Sequence, residues 1–255
     1  MLYDEVVIDK TVDKESAHEF LMEATKLATS AQLDDIGDRL GQKYRMFQNI
    51  LRPDAIGDLQ PENIRLLMRH IFFLRRKSGL LLKGNSPEVL QKEFSLLLYG
   101  DRPVNERFNR FVTTLSGLNE PLLIALAGEL LHYNEPDKYW LWTSWIYDPK
   151  TGSGALKMLM QNDVTIEGET VGDKYVAIGR ATSAIHQAGM TEGFSRLASG
   201  LTGTNIFMAC VYAVYMYTVF KVKLSKEFNR ILPDLPELAR RVLGVQKMEI
   251  SAYDS

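Results

Sequence analysis

Two Glu-x-x-His pairs, Glu15 with His18 and Glu129 with His132, are the side chains best spaced for chemistry. At i, i+3 on a helix both members face one way. Two such pairs plus two further glutamates build a di-metal carboxylate centre in a helical bundle. The surroundings argue against that centre. Glu15 belongs to the first long predicted helix, which leaves no earlier helix to donate a lone glutamate. His132 falls at a helix end, close to Pro136. No metal and no cofactor are therefore expected. His70 and His186 lack ligand-spaced partners, which suits a core or surface role.

Nucleophilic catalysis has no better support. The single cysteine, Cys210, sits in the apolar run IFMACVYAV, where a thiol is a small inert group. No serine occupies a Gly-x-Ser-x-Gly elbow. Thr151-Gly-Ser-Gly154 lacks the preceding strand and the lysine of a phosphate loop. A catalytic role is not expected.

Arginine supplies the other chemical signal. Arg65, Arg69 and Arg76 fall on one side of a helix predicted from Gln60 to Ser78, with Arg75 and Lys77 adjoining. Arg102, Arg107 and Arg110 form a second cluster. Guanidinium groups at such spacing can track phosphates. Net charge is only −2, but it is unevenly spread. Residues 1–38 hold three Lys/Arg against ten Asp/Glu, and residues 39–110 hold fourteen against seven. Either the acidic segment packs beside the basic one and neutralises it, or the basic surface serves an anionic partner. The opposed charges of adjacent segments favour the first reading.

The elements that must position these residues are helices. Thr11 or Asp13 caps a helix to about Thr29, and Leu33–Ile50 carries a second, with Leu40, Tyr44, Phe47 and Leu51 as its stripe. Pro61 and Pro87 open two more, and Val104–Leu115, Leu122–Tyr133, Gly154–Met160, Asp173–Ala188, Ile206–Lys223, Glu227–Leu232 and Pro236–Leu243 follow. Residues 1–10 read as an extended arm, 189–203 as a glycine-bearing linker, and Gly244–Ser255 as a tail. Only Asp163–Thr170 alternates, weakly enough for a short hairpin or a loop. The predicted fold is all-α, a compact multi-helix single domain over 1–255, with 162–172 as the place for any subdivision. Leu197–Phe220 is uncharged, but only Ile206–Phe220 is strongly apolar, which suits a core helix better than a membrane span. One cysteine and an acidic amino terminus fit a reducing, cytoplasmic setting.

Leu130–Pro149 holds all three tryptophans, Trp140, Trp142 and Trp145. Tyr139 and Trp142 here could line a ligand pocket; packing at a helix–turn corner is the reading favoured by burial statistics. The run GDRPVNERFNRFVTTLSGLNEPLLIALAGELLHYNEPDKYWLWTSWIY, with GDKYVAIGRATSAIHQAG after it, resembles a helical module found beside McrB-like restriction NTPases. The matching positions are Arg107, Phe108, Pro136, Tyr139, Trp142 and Tyr175, and the resemblance covers about 80 residues. It implies a non-catalytic helical module linked to DNA-directed machinery, although no NTPase or nuclease accompanies it in this chain. The sequence thus points to a helical binding or adaptor module with a protein partner, and to nucleic-acid binding as the alternative. The binding residues would be Arg65, Arg69, Arg76, Arg107, Tyr139 and Trp142.

Overall fold

Capping chemistry sets the helix boundaries in the structure, a computed structural model that describes residues 8–192, 200–223 and 233–248. After the single turn α1 (Ile8–Thr11), Asp13 caps α2 (Lys14–Leu27), its carboxylate accepting from the Ser16 N–H at 3.0 Å. Thr29 starts α3 (Ser30–Ile50) in a capping box: Gln32 N–H donates to Thr29 Oγ1, and Thr29 N–H donates to Gln32 Oε1. Proline opens α4 (Pro61–Arg69) and α6 (Pro87–Tyr99), with α5 (Ser78–Gly84) between them. Its missing N–H has no helical partner to lose there. Then come α7 (Val104–Thr114), α8 (Glu120–Asn134), α9 (Ala155–Leu159), α10 (Val171–Glu192), α11 (Gly200–Lys223) and α12 (Leu235–Val242).

The fold is all-α. Among the described residues the only β pairing is two isolated bridges, Val12 with Met160 and Asp148 with Ser153. The hairpin considered at Asp163–Thr170 does not form; the stretch is irregular. A lone hairpin is marginal without a third strand or a helix to cover it. Glycine did not make a linker of 189–203 throughout: Gly189 lies inside α10, and Gly200 and Gly203 inside α11. The amino-terminal arm is helical over α1, and the predicted helix Glu227–Leu232 lies outside the described residues.

α8 is the centre of the molecule. It is apolar on every side and buried from Leu123 to Tyr133, as a helix surrounded by others must be. α3, α6 and α7 pack on it, while α7 also lies along α10, and α11 packs on α2, α3 and α12. The aromatic turn after α8 doubles back across it. A Cβ at Gly128 would lie 2.2 Å from the Trp142 carbonyl, so that crossing requires glycine. The Trp142 indole N–H donates to Tyr147 O at 2.9 Å. Phe108, Tyr175 and Trp142 form a cluster of three near-parallel rings, with centroids 4.4 Å (Phe108–Tyr175), 5.7 Å (Phe108–Trp142) and 6.4 Å (Trp142–Tyr175) apart. α11 buries Ile206–Val211 in this core, and no helix among the described residues is long and apolar enough to cross a membrane.

Candidate functional site

The helix predicted from Gln60 to Ser78 is not continuous. It stops at Arg69, and Ile71 turns extended, with φ −108° and ψ 119°. A single 3-10 turn, Phe72–Leu74, and a turn at Arg75–Lys77 lead into α5. The apolar spacing still buries Leu67, Met68, Ile71 and Leu74. The break coincides with a contact from the far end of the chain. α12 ends in a Schellman motif: Val245 N–H donates to Arg240 O and Gly244 N–H to Arg241 O, with Gly244 at φ +74°. Gly244 lies flat on the break. A Cβ there would sit 1.8 Å from His70 O, and the His70 ring donates from Nδ1 to Gly244 O at 3.2 Å. The predicted tail is therefore docked at its start, with Gly244 and Val245 buried.

This docking makes a groove of about 760 Å³. One wall is Arg69, Phe72, Phe73, Arg75, Arg76 and Lys77; the other is Arg241, Gln246 and Lys247. Six of these nine side chains are cationic and none is acidic. Two cations are engaged locally. Arg75 donates to Gln246 Oε1 at 3.2 Å, and Gln246 Nε2 donates to Glu237, which also pairs with Arg241. Arg69, Arg76, Lys77 and Lys247 make no ion pair among the described residues. Burial holds His70 below the ordinary histidine range, and the charges of Lys43, Arg69 and Arg75 push it the same way.

The acidic amino-terminal segment does not neutralise this groove through its described carboxylates. Asp35 pairs with Arg39 at 3.0 Å and Arg240 at 2.8 Å, and Glu23 pairs with Lys26.

The other sequence candidates lie elsewhere. Arg65 is exposed on α4 and lines a separate small cavity with Leu59, Ile64 and Leu90. The second arginine cluster is not a basic surface. Arg110 forms a two-pronged pair with Glu93 at 2.7 and 2.9 Å, and Arg102 pairs with Glu106. Arg107 is buried and donates to Leu97 O, to Arg102 O at 2.8 Å and to the Tyr139 hydroxyl at 2.8 Å. Tyr139 and Trp142 are buried too. Arg107, Phe108, Tyr139, Trp142 and Tyr175 therefore meet as one structural knot joining α7, α10 and the aromatic turn.

Of the Glu-x-x-His pairs, Glu15 and His18 are exposed on α2, whereas Glu129 and His132 are buried in α8. Glu129 is paired with Lys43 Nζ at 2.6 Å. His132 donates from Nδ1 to Tyr139 O at 2.7 Å, which leaves Nε2 to accept from Tyr44 Oη at 2.6 Å and Asn205 Nδ2 at 2.7 Å. Sequence reasoning passed over Lys43, since one lysine on an amphipathic helix looks solvated. It is fully buried, lies 3.9 Å from the Tyr133 ring centroid, and donates to Leu243 O at 2.8 Å. It clamps the end of α12, and so the second wall of the groove, to the core.

Comparison with protein-family models, with curated proteins and with solved structures gives no match. The functional reading rests on the groove itself.

Proposed function

We propose that this chain is a non-catalytic helical module that binds nucleic acid through the basic groove. One observation carries the reading: four cations converge on a concave surface without a carboxylate to pair them among the described residues. Gathering like charges raises the energy of the free protein, and a polyanion relieves it. Arginine supplies a planar fork suited to phosphate, and lysine a mobile point charge. Phosphate contacts of this kind give salt-dependent affinity with little sequence selectivity. The resemblance to a module beside McrB-like NTPases agrees with a DNA-directed setting.

The protein retrieved from cells with its associated material tests this. Half of the sample is treated with nuclease before elution. Nucleic acid is expected in the untreated sample and is lost on nuclease treatment. A protein partner retained in full after nuclease, with no nucleic acid in either sample, would make the module a protein adaptor instead.

A further inference from the structure

Phe72 and Phe73 are the feature of the groove that phosphate binding alone leaves without a role. They are consecutive on the 3-10 turn and pack edge to face, with centroids 4.7 Å apart at 62°. Both are only partly buried, while Ile71 and Leu74 on either side are wholly buried. The flanking residues anchor the turn in the core, and the two rings, packed partly against that core, also face the cationic groove. No cation of the chain stacks on either ring among the described residues.

A duplex uses such rings only as wedges driven between its base steps by an element that projects into its minor groove. Its bases are stacked inward, and their edges are read by an element that projects into a groove, usually a helix. Here the surface is concave, and α4 meets it with its carboxyl-terminal end, at Arg69. An unpaired strand offers what the rings can use. Its bases expose flat faces that stack on aromatic side chains, while its backbone follows a positive groove. A volume of about 760 Å³ lies in the range of small-ligand pockets and suits a segment of one or two nucleotides, not the width of a duplex.

Building on the nucleic-acid reading above, we propose that the groove takes single-stranded nucleic acid. A base stacks on the Phe72–Phe73 pair, and the flanking phosphates lie on Arg69, Arg76, Lys77 and Lys247. DNA and RNA share this chemistry, and separate arms of the test distinguish them.

The test is fluorescence anisotropy of the full chain with a labelled single strand of mixed, non-self-complementary sequence. It is run as DNA, as RNA, and as the duplex made from the DNA strand. The expected result is at least about tenfold tighter binding of single strand than duplex. Phe72→Ala/Phe73→Ala should weaken single-strand binding by about 5- to 150-fold for each stacked base and leave its salt dependence unchanged. Phe72→Leu/Phe73→Leu retains apolar bulk and should show the same loss. It decides the matter if the alanine variant fails to fold. Equal binding of both forms, unaltered by the leucine variant, would overturn the single-strand inference and leave nucleic-acid binding standing. Absence of salt-sensitive binding to every probe would overturn both.

Discussion

Arg107 and Arg76 belong to one residue type and sit in opposite environments. Arg107 is buried because Leu97 O, Arg102 O and the Tyr139 hydroxyl together satisfy its donors, so its charge is a bracket between elements. Arg76 is exposed at the groove, with no ion pair among the described residues. Spacing along the chain could not separate them, because the acceptors around Arg107 come from three different segments. The aromatic residues were easier to read, since side chains as large as Trp142 at a helix corner usually fill the core. His132 was visible as a candidate ligand, but its actual partners, Tyr44 and Asn205, lie far away in sequence. Its role gives a pH dependence. Burial pushes His132 down to about 4, and the charge of Lys43 pushes it the same way. The unfolded chain takes up this proton near pH 6.5, so stability is present above that pH and is lost as pH falls toward 4. The loss approaches about 3 kcal/mol. Glu129 acts in the other direction. Burial raises it to about 7, so its contribution is present at low pH and is lost as pH rises through neutrality. Comparing urea midpoints of the native protein and His132→Gln from pH 7 to 4 removes the shared Glu129 contribution. The native protein should lose stability relative to the variant, whereas parallel profiles would show that His132 does not titrate as described.

At the scale of elements, most helices were legible because their starts are written locally. Asp13, Thr29, Ser86, Asn119 and Asp234 cap five of them through their own side chains. The break between α4 and α5 was not legible. It coincides with Gly244 lying on His70, a contact 174 residues apart in the chain. An apolar stripe continuing through Ile71 and Leu74 reads as helix until that contact is known. Lys43 holds the same junction from beneath, and its ion pair with Glu129 allows a direct test. Above neutral pH, where Glu129 is ionised, Lys43→Met should cost about 3–5 kcal/mol, since it strands a buried carboxylate. Lys43→Met/Glu129→Leu should recover most of that, because replacing both members of a buried pair by apolar groups is often neutral. Denaturant unfolding of the two variants measures the difference. Equal losses in both would mean that Lys43 acts through Leu243 O and not through Glu129.

The whole molecule carries a charge of −2, and that near-neutrality hides its basic groove. The opposed charges of the first two segments suggested mutual neutralisation. In the folded chain Glu23 pairs with Lys26 and Asp35 with Arg39 and Arg240, and no described carboxylate of that segment pairs with a cation of the groove. Composition could show the basic segment. It could not show that Arg241 and Lys247, from the other end of the chain, complete its opposite wall. The measurement closest to the central claim is the salt dependence of nucleic-acid affinity for the native protein and for Arg69→Ala/Arg76→Ala/Lys77→Ala. For a single strand, log K should fall against log salt by about 0.7 for each phosphate neutralised. The triple variant should bind far more weakly, with a slope shallower by roughly 2, while keeping its unfolding midpoint, because surface cations without an ion pair contribute little to stability. A native protein whose affinity ignores salt, or a triple variant that binds with the native affinity and slope, would contradict the account.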